Sequence, residues 1–292
     1  MPSDFRAWIM ASRPKTLWAA IAPVVVGSAI AGRGGYFQPA VTLAILGAAI
    51  LIQIGANLAN DVFDFLRGAD TAERLGPARV TEQGLLKPEQ VKRGMYLVFA
   101  LAIGIGLYLA WIGGWPIVVI GLVSIGAAVT YTGGPWPFGY HGLGDLMVFI
   151  FFGIIAVAGT VYLHAGTFLF SSLWGAVPMG ALATTILVVN NVRDIETDAR
   201  AGKRTLAVRL GRRGSEVEYV GLIILAYVTP ILFWLQANAS YALLLPLLSL
   251  PLAWRNYRAL ALHSGRSLNQ TLAKTAQLQA LFGGLFAAGM LL

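Results

Sequence analysis

The sequence contains no cysteine, and only 12% of its 292 residues are charged. The absence of cysteine excludes disulfide-stapled scaffolds, thiolate catalysis, and zinc or iron–sulfur centres held by cysteine. A soluble domain carries about 25% charged residues, and it could not bury a chain that is 57% hydrophobic and still cover its surface with polar groups. The composition therefore predicts an all-α, polytopic membrane protein.

Nine apolar stretches are candidates for transmembrane helices, although three of them are short for a bilayer that needs about 20 residues. They cover Leu17–Gly32, Ala40–Phe65, Gly94–Trp111, Pro116–Tyr131, Leu143–Leu163, Leu169–Val192, Val217–Gln236, Tyr241–Trp254 and Leu272–Leu292. The first stretch also has features of a secretory signal, but we expect it to remain as a helix. No repeat or separate soluble domain is visible, so residues 1–292 are predicted to form a single transmembrane domain.

The formal net charge of +8 is explained by where the basic residues lie. With nine spans and a cytoplasmic N-terminus, every Lys and Arg except Arg33 falls in a segment on the cytoplasmic side. This asymmetry follows the positive-inside rule. It predicts a multi-pass protein of the cell (inner, cytoplasmic) membrane whose active site faces the cytoplasm. The lipid bilayer is then the expected partner of the basic surface, and nucleic acid is not.

Two clusters of Asn and Asp close predicted helices 2 and 6 on this side. The clusters consist of Asn57, Asn60, Asp61 and Asp64, and of Asn190, Asn191, Asp194 and Asp198. Spacings of three, four and seven residues place the members of each cluster on one helical face. Such residues are often solvated helix caps, but an ionised carboxylate in a membrane helix costs roughly 2.5–3.5 kcal/mol near the centre. Two matching clusters therefore indicate a functional site.

The charge of the clusters points to a ligand. Four carboxylates facing one cavity would repel one another and take up protons unless cations joined them. Oxygen-only ligands suit Mg²⁺, which shares its coordination shell with substrate phosphates. Two Mg²⁺ ions and a diphosphate ester still leave net negative charge, so basic residues are expected nearby.

Basic residues do flank both clusters, and the positive-inside rule explains most of them. We predict that the diphosphate contacts Asn57, Asn60, Lys15, Asn190, Asn191, Arg193, Lys203 and Arg204. A diphosphate in a membrane cavity indicates an allylic polyprenyl diphosphate whose tail lies among apolar helices. Metal would neutralise the leaving diphosphate, and a cavity that excludes water would protect the carbocation until a nucleophile attacks it.

At these residues the chain resembles the UbiA superfamily of intramembrane prenyltransferases. The resemblance covers the whole chain and rests on Arg13-Pro14-Lys15-Thr16-Leu17, Asn57-Leu58-Ala59-Asn60-Asp61-x-x-Asp64, Tyr131-Thr132-Gly133-Gly134-Pro135, Tyr140-His141-Gly142-Leu143-Gly144-Asp145 and Asn190-Asn191-x-Arg193-Asp194. It implies nine transmembrane helices with Asp-rich motifs on helices 2 and 6. The third and fourth segments are similar to the branch that prenylates 1,4-dihydroxy-2-naphthoate in menaquinone synthesis.

The resemblance implies a reaction and roles for individual residues. A polyprenyl group passes to 1,4-dihydroxy-2-naphthoate, the ring carboxylate leaves as CO₂, and the product is demethylmenaquinol. The implied metal ligands are Asn60, Asp61 and Asp64 for one Mg²⁺ and Asp194 and Asp198 for the other. The same four aspartates, together with Tyr131, His141 and Asp145, are the implied catalytic set. His141 and Asp145 would bind or deprotonate the aromatic acid, or else only structure their Gly-rich loop.

Two positions depart from the family pattern. Gly68 stands where many relatives have a third Asp, and the next acid, Asp70, is out of helical phase and is a weaker candidate ligand. Pro135 stands where many relatives carry a Lys four residues after the Tyr that corresponds to Tyr131. The role of that lysine is therefore absent here or is taken by another residue.

Other functions stay open at this point. Within the superfamily the acceptor could be 4-hydroxybenzoate or homogentisate, or the product haem O or chlorophyll. A transporter is the main candidate outside enzymes, but the polar clusters lie at one face instead of the midplane and no inverted repeat is visible. The continuous Asp-rich segment of CDP-alcohol phosphotransferases is absent. The prenyl chain length and the oligomeric state are not indicated.

Overall fold

The computed structural model describes residues 4–69, 74–237 and 240–292, and in these ranges it is helical, without a strand. The helices are α1 (Asp4–Ser12), α2 (Trp18–Arg33), α3 (Pro39–Leu66), α4 (Pro88–Gly113), α5 (Trp115–Thr130), α6 (Gly144–Phe149), α7 (Gly159–Ala165), α8 (Leu173–Arg193), α9 (Ile195–Arg200), α10 (Leu206–Ala237), α11 (Leu250–Leu262) and α12 (Leu268–Leu291). A π-helical segment, Ile150–Ala158, joins α6 to α7, and a 3₁₀ segment, Tyr241–Ser249, leads into α11. The all-α prediction is confirmed.

Several helices have the length and composition of membrane spans. Five qualify in the described ranges, namely Pro39–Leu66, Pro88–Gly113, Gly144–Ala165, Phe170–Arg193 and Leu206–Gln236. The pair Phe5–Thr16 and Trp18–Arg33, bent by 50°, supplies a sixth. Each of the nine predicted apolar stretches overlaps helical structure, but nine crossings stay a prediction because length and composition support only five or six. Large outward-facing side chains such as Leu43, Trp111 and Phe170 give the bundle a surface suited to lipid.

The helices extend beyond the apolar runs at the end of the bundle that carries the polar clusters. α4 begins at Pro88 instead of Gly94, and the backbone N–H of Lys87 donates to the side chain of Gln90 at 2.8 Å as a cap. α10 begins at Leu206 instead of Val217 and is interrupted at Gly211, whose φ is 69°. Hydropathy detects only the apolar part of a helix, so polar turns that continue the helix outside the membrane were missed.

The central core lies among α2, α8, α10 and α12. Val26, Met179, Leu182, Phe282 and Phe286 are fully buried there. The α2–α8–α12 group forms one wall of a cavity whose other walls come from α3, α4, α5 and the π-helical segment. The C-terminal ends of α3 and α8 meet at one end of this cavity, which brings the two polar clusters together.

Two glycines allow α8 to pack directly on the π-helical segment. A Cβ on Gly153 would lie 2.5 Å from the backbone oxygen of Ala176 and 2.7 Å from the Cα of Gly180. We expect Gly153→Ala to lower the free energy of unfolding by about 1–3 kcal/mol, because one backbone would have to move away from the other. The measurement is thermal unfolding of the purified protein in detergent. The control, Gly221→Ala, adds a Cβ with nothing within 4 Å and should match the wild type; an equal loss in both variants would contradict this account.

Candidate active site

A cavity of about 1350 Å³ joins a polar mouth to a long apolar channel. The mouth is lined by Lys15, Asn57, Asn60, Asp64, Arg79, Tyr131, Tyr140, Asn190, Asn191, Asp194, Asp198 and Lys203. The channel is lined by aliphatic and aromatic residues of α3, α4, α5 and the π-helical segment, including Ile45, Leu109, Ile117 and Phe152. A cavity of this kind suits a ligand with a charged head and an apolar tail.

Asp64 is held by three side chains that line the mouth, Arg79, Lys203 and Tyr140. Its Oδ2 lies 2.7 Å from Nη2 of Arg79 and its Oδ1 lies 3.2 Å from Nζ of Lys203. The hydroxyl of Tyr140 donates a further hydrogen bond to Oδ1 at 2.6 Å. Asp64 is only 1% exposed, so the two cations offset much of the cost of burying its charge. Burial and the Asp64 carboxylate hold the pKa of Tyr140 above its usual range, which keeps the hydroxyl a donor.

The second cluster is organised by Arg193. Its Nε donates to Oδ1 of Asp194 at 2.8 Å, and its other nitrogens donate to Oδ1 of Asn190 and Oδ1 of Asn269, each at 2.8 Å. The guanidinium is buried and does not line the cavity. Arg193 therefore fixes Asp194 and Asn190 from behind instead of pointing into the mouth.

Asp198 follows on the short helix α9, outside the apolar spans. Burial raises the pKa of its carboxyl to about 7, and the nearby Asp194 and Asp64 carboxylates add to the rise while Lys203 opposes it. An added cation in the mouth would favour the ionised carboxylate. The three aspartates of the mouth therefore lie close enough together for their charges to interact.

Asp61 faces away from the cavity, in contrast to the metal-ligand role predicted for it. Its carboxylate accepts hydrogen bonds from the backbone N–H groups of Val80 (3.1 Å) and Thr81 (3.2 Å) and from the Thr81 hydroxyl. It is 1% exposed and does not line the cavity. In this geometry Asp61 anchors the loop that presents Arg79 to Asp64.

The asparagines of the first cluster line the mouth and tie it to neighbouring segments. Nδ2 of Asn57 donates to the backbone oxygen of Ser12 at 3.0 Å and to Oγ1 of Thr16 at 3.1 Å. These bonds hold the N-terminal segment, and with it Lys15, against α3. Oδ1 of Asn60 accepts a hydrogen bond from the hydroxyl of Thr132 at 3.0 Å.

Three of the predicted residues, His141, Asp145 and Arg204, do not line the cavity. His141 stacks on Trp136, with ring centroids 4.4 Å apart. The carboxyl of Asp145 is buried at the start of α6, and its Oδ2 has no hydrogen-bond partner among the described residues. Arg204 acts through its backbone N–H, which donates to the backbone oxygen of Tyr140 at 2.8 Å. The structure thus favours the loop-forming alternative for His141, and it shows no side-chain hydrogen bond by which Asp145 would hold the loop among the described residues. Tyr131, by contrast, lines the cavity at the end of α5.

Two residues that contact Asp64 were missed by sequence reasoning. Tyr140 lies in a segment that carried the family resemblance, but no role was assigned to it. Arg79 was counted only as one of the basic residues of its loop, and no local pattern distinguishes it from Arg74. Both residues are identified only by their contacts with Asp64. They lie 76 and 15 positions from Asp64 in the sequence, so no local pattern could reveal these contacts. Asp70 lies outside the described residues.

The donor set fits Mg²⁺ shared with a ligand. Within the described ranges, no three acidic or histidine side chains are close enough together to hold a metal ion by themselves. Mg²⁺ is commonly bound by one or two carboxylates, waters and substrate phosphates instead of a complete protein cage. The carboxylate and amide oxygens of the mouth match that preference.

An all-helical membrane bundle with an Asp- and Asn-lined mouth and an apolar channel has the layout of an intramembrane enzyme that acts on an amphiphilic phosphate ester. The chain belongs to the UbiA prenyltransferase family, whose family model matches residues 20–281. The resemblance inferred from the motifs is therefore confirmed.

Characterised relatives resemble the chain over most of its length. It is 38% identical over 262 residues to the 1,4-dihydroxy-2-naphthoate octaprenyltransferase of Escherichia coli (strain K12), covering 88% of this chain and 85% of the relative. It is 42% identical over 229 residues to the protein of the same name from Mycobacterium tuberculosis, covering 77% of each. The structure of a UbiA homolog from Archaeoglobus fulgidus bound to DMAPP and Mg²⁺ shares the fold, with a TM-score of 0.65, 15% identity and coverage of 97% and 98% of the two chains.

Proposed function

We propose that this protein transfers a polyprenyl group from an allylic diphosphate to 1,4-dihydroxy-2-naphthoate, with loss of the ring carboxylate as CO₂. The product is demethylmenaquinol, an intermediate of menaquinone biosynthesis. The observation that carries the proposal is the cavity, in which a mouth lined by aspartates, asparagines and basic side chains continues into an apolar channel. The names of the Escherichia coli and Mycobacterium tuberculosis relatives support the acceptor. We place the mouth on the cytoplasmic side of the cell membrane, because the basic residues lie at that end.

The mouth provides ligands for Mg²⁺ and for the diphosphate. Asn60, Asp64, Asp194 and Asp198 would hold Mg²⁺, as two ions, and the metal supplies neutralisation of the leaving diphosphate. The solved relative bound to DMAPP and Mg²⁺ supports this use of metal. We place the diphosphate against a second set of lining residues, Lys15, Asn57, Arg79, Asn190, Asn191 and Lys203.

Arg79 and Lys203 have the central role in leaving-group binding. Both nitrogens lie within 3.2 Å of Asp64 and both side chains line the cavity. A diphosphate in the mouth would accept hydrogen bonds from the same nitrogens, which are charge-assisted and strong. Negative charge builds on the diphosphate as its C–O bond breaks, so these fixed cations stabilise the transition state more than the ground state.

Tyr131 and the channel walls protect the cation that remains. Tyr131 lines the cavity after the C-terminal end of α5, and we place its ring against the allylic carbon, where it would stabilise positive charge. The apolar side chains exclude water, which would otherwise capture the cation. The electron-rich naphthoate ring then forms the new C–C bond at the carbon that bears the carboxylate. The C–C bond to that carboxylate breaks, CO₂ leaves, and its electron pair restores the aromatic ring.

The test is prenyl transfer by the detergent-purified protein. It is incubated with 1,4-dihydroxy-2-naphthoate and farnesyl or geranylgeranyl diphosphate, in Mg²⁺ or in EDTA. We expect a prenylated naphthoquinol with a matching amount of CO₂ in Mg²⁺ and neither in EDTA. 4-Hydroxybenzoate is the rival acceptor, and product from that acid alone would contradict the proposed acceptor. No transfer to either acceptor would contradict the proposed function.

A larger side chain at position 106 should limit the length of prenyl donor that the apolar channel accepts. Gly106 lines the channel on α4, about 27 Å along the helix axis from Pro88. A Cβ at Gly106 would meet nothing within 4 Å, so a larger side chain would enter the open channel. We expect Gly106→Leu to lower kcat/KM for geranylgeranyl diphosphate about 10–100-fold, since the tail loses room that a short donor never uses.

The measurement compares kcat/KM for dimethylallyl and geranylgeranyl diphosphates in each variant. Gly104→Leu is the matched control, because Gly104 is on the same helix with equally open space but does not line the channel. It should leave the ratio of the two constants unchanged. The same ratio in Gly106→Leu and wild type would exclude this course for the tail.

A further inference from the structure

A second groove lies between α11 and α12, with a volume of about 550 Å³. Its lining positions on α11, such as Arg255, Asn256 and Ala259, recur at helical spacing. Thr271 and Lys274 line it from α12, one turn apart. The two helices therefore face each other across the groove.

The groove is strongly basic. Arg255, Arg266 and Lys274 line it, and no acidic side chain of the described residues does. The guanidinium of Arg266 makes one long contact, 3.5 Å from Nη2 to the backbone oxygen of Arg74. Three positive charges around one groove without a lining carboxylate indicate an anionic ligand.

A buried donor supports the same conclusion. Asn256 lines the groove and is 1% exposed, and its Nδ2 has no hydrogen-bond partner among the described residues. A buried amide donor without an acceptor is costly. A phosphate group would supply both the acceptor oxygens and the negative charge that this groove lacks.

The location of the groove indicates the source of the phosphate. Asn269 lines both the groove and the catalytic mouth, and its Oδ1 accepts from Arg193 of the second cluster. The groove therefore lies at the same end of the bundle as the polar clusters. Trp254 and Leu262 on α11 are 61% and 71% exposed beside it, which gives an apolar surface for acyl chains next to a basic groove for a headgroup.

We propose that the groove between α11 and α12 binds the phosphate of an anionic phospholipid headgroup. Arg255, Arg266 and Lys274 supply the charge, and Nδ2 of Asn256 supplies the buried hydrogen bond. Basic pockets of this kind between membrane helices recognise anionic lipids. The proposal is independent of the acceptor and donor assigned above.

The test measures lipid retention by native mass spectrometry of the full-length protein in detergent. Dioleoylphosphatidylglycerol is titrated against dioleoylphosphatidylcholine. We expect one phosphatidylglycerol to bind at least about tenfold more tightly than phosphatidylcholine, and the variant carrying both Arg255→Gln and Lys274→Gln to lose that preference. Gln270→Glu, at an exposed lining position, should also weaken binding because it adds a negative charge without removing a contact.

The control is Arg258→Gln, which removes an exposed charge of α11 that does not line the groove. It should bind phosphatidylglycerol like the wild type, and prenyl transfer in detergent checks the folding of every variant. A second arm titrates inorganic phosphate and follows thermal unfolding. Stabilisation by phosphate that the double variant loses, without preference for phosphatidylglycerol, would overturn the lipid assignment. Equal phosphatidylglycerol binding by wild type and double variant would overturn the site.

Discussion

Asp198→Asn is expected to lower kcat/KM for prenyl transfer by about 10³-fold, because a lost charge in the mouth removes several kcal/mol of stabilisation from the departing diphosphate. Asp198 lines the mouth and lies close enough to Asp194 and Asp64 for their charges to affect its pKa. Asn keeps the size of the side chain and one oxygen ligand but removes the negative charge that attracts Mg²⁺. The measurement is the transfer rate as a function of Mg²⁺ concentration, and half-saturation should move to higher Mg²⁺.

Glu196→Gln is the matched control for this variant. Glu196 is an acid on the same short helix, but it is exposed and does not line the cavity. Loss of its charge should leave both the rate and the Mg²⁺ dependence close to wild type. Equal losses in the two variants would mean that the general negative charge of α9 matters, and the assignment of Asp198 as a ligand would fail.

Asp61→Asn is expected to lower kcat/KM about 10²-fold while leaving the Mg²⁺ concentration for half-saturation unchanged. The Asp61 carboxylate holds the backbone of Val80 and Thr81, and Asn retains only one oxygen for these donors. Each weakened charge-assisted bond costs about 1.5–3 kcal/mol. The loop would then no longer hold Arg79 beside Asp64. The measurement is a Mg²⁺ titration of the transfer rate, run beside Asp198→Asn.

A double-mutant comparison separates the positioning role from metal binding. If Asp61 acts by presenting Arg79, the variant with both Asp61→Asn and Arg79→Gln should be no slower than Arg79→Gln alone. Restoration of near-wild-type rates by Asp61→Glu would support the same role, since a carboxylate is again available to the loop. If Asp61→Asn raised the Mg²⁺ concentration for half-saturation as much as Asp198→Asn does, the positioning role would be contradicted. The metal-ligand role predicted from the sequence would then be supported instead.

Asp61 shows how far helical spacing in the sequence can predict the position of a side chain. Asn57, Asp61 and Asp64 do share one broad face of α3, as their spacing predicts. However, Asp61 and Asp64 point about 60° apart around the helix axis. That angle is enough for one carboxylate to face the cavity and the other to face the loop at Val80. Periodicity identifies a face, but it does not identify which neighbour packs against each part of the face.

The sequence also could not show which basic residues belong to the site. The positive-inside rule accounted for nearly every Lys and Arg of the chain, and for that reason it could not rank them. Lys203 follows the second cluster directly and was selected by its position in the sequence. Arg79 reaches Asp64 from a loop further along the chain, and only the packing of that loop distinguishes it.

Local composition was enough to determine that this protein is a bundle of membrane helices with two Asn- and Asp-rich clusters at one end. Hydropathy, the distribution of charge among loops and short motifs depend on residues close together in the sequence. They can therefore be recognised before the tertiary structure is known. The tertiary structure decided that Asp64 and Asp198 face the mouth, that Asp61 and Arg193 stand behind it, and that Arg79 completes it. These assignments depend on contacts between residues distant in sequence, whose energies arise only when the helices and loops pack together.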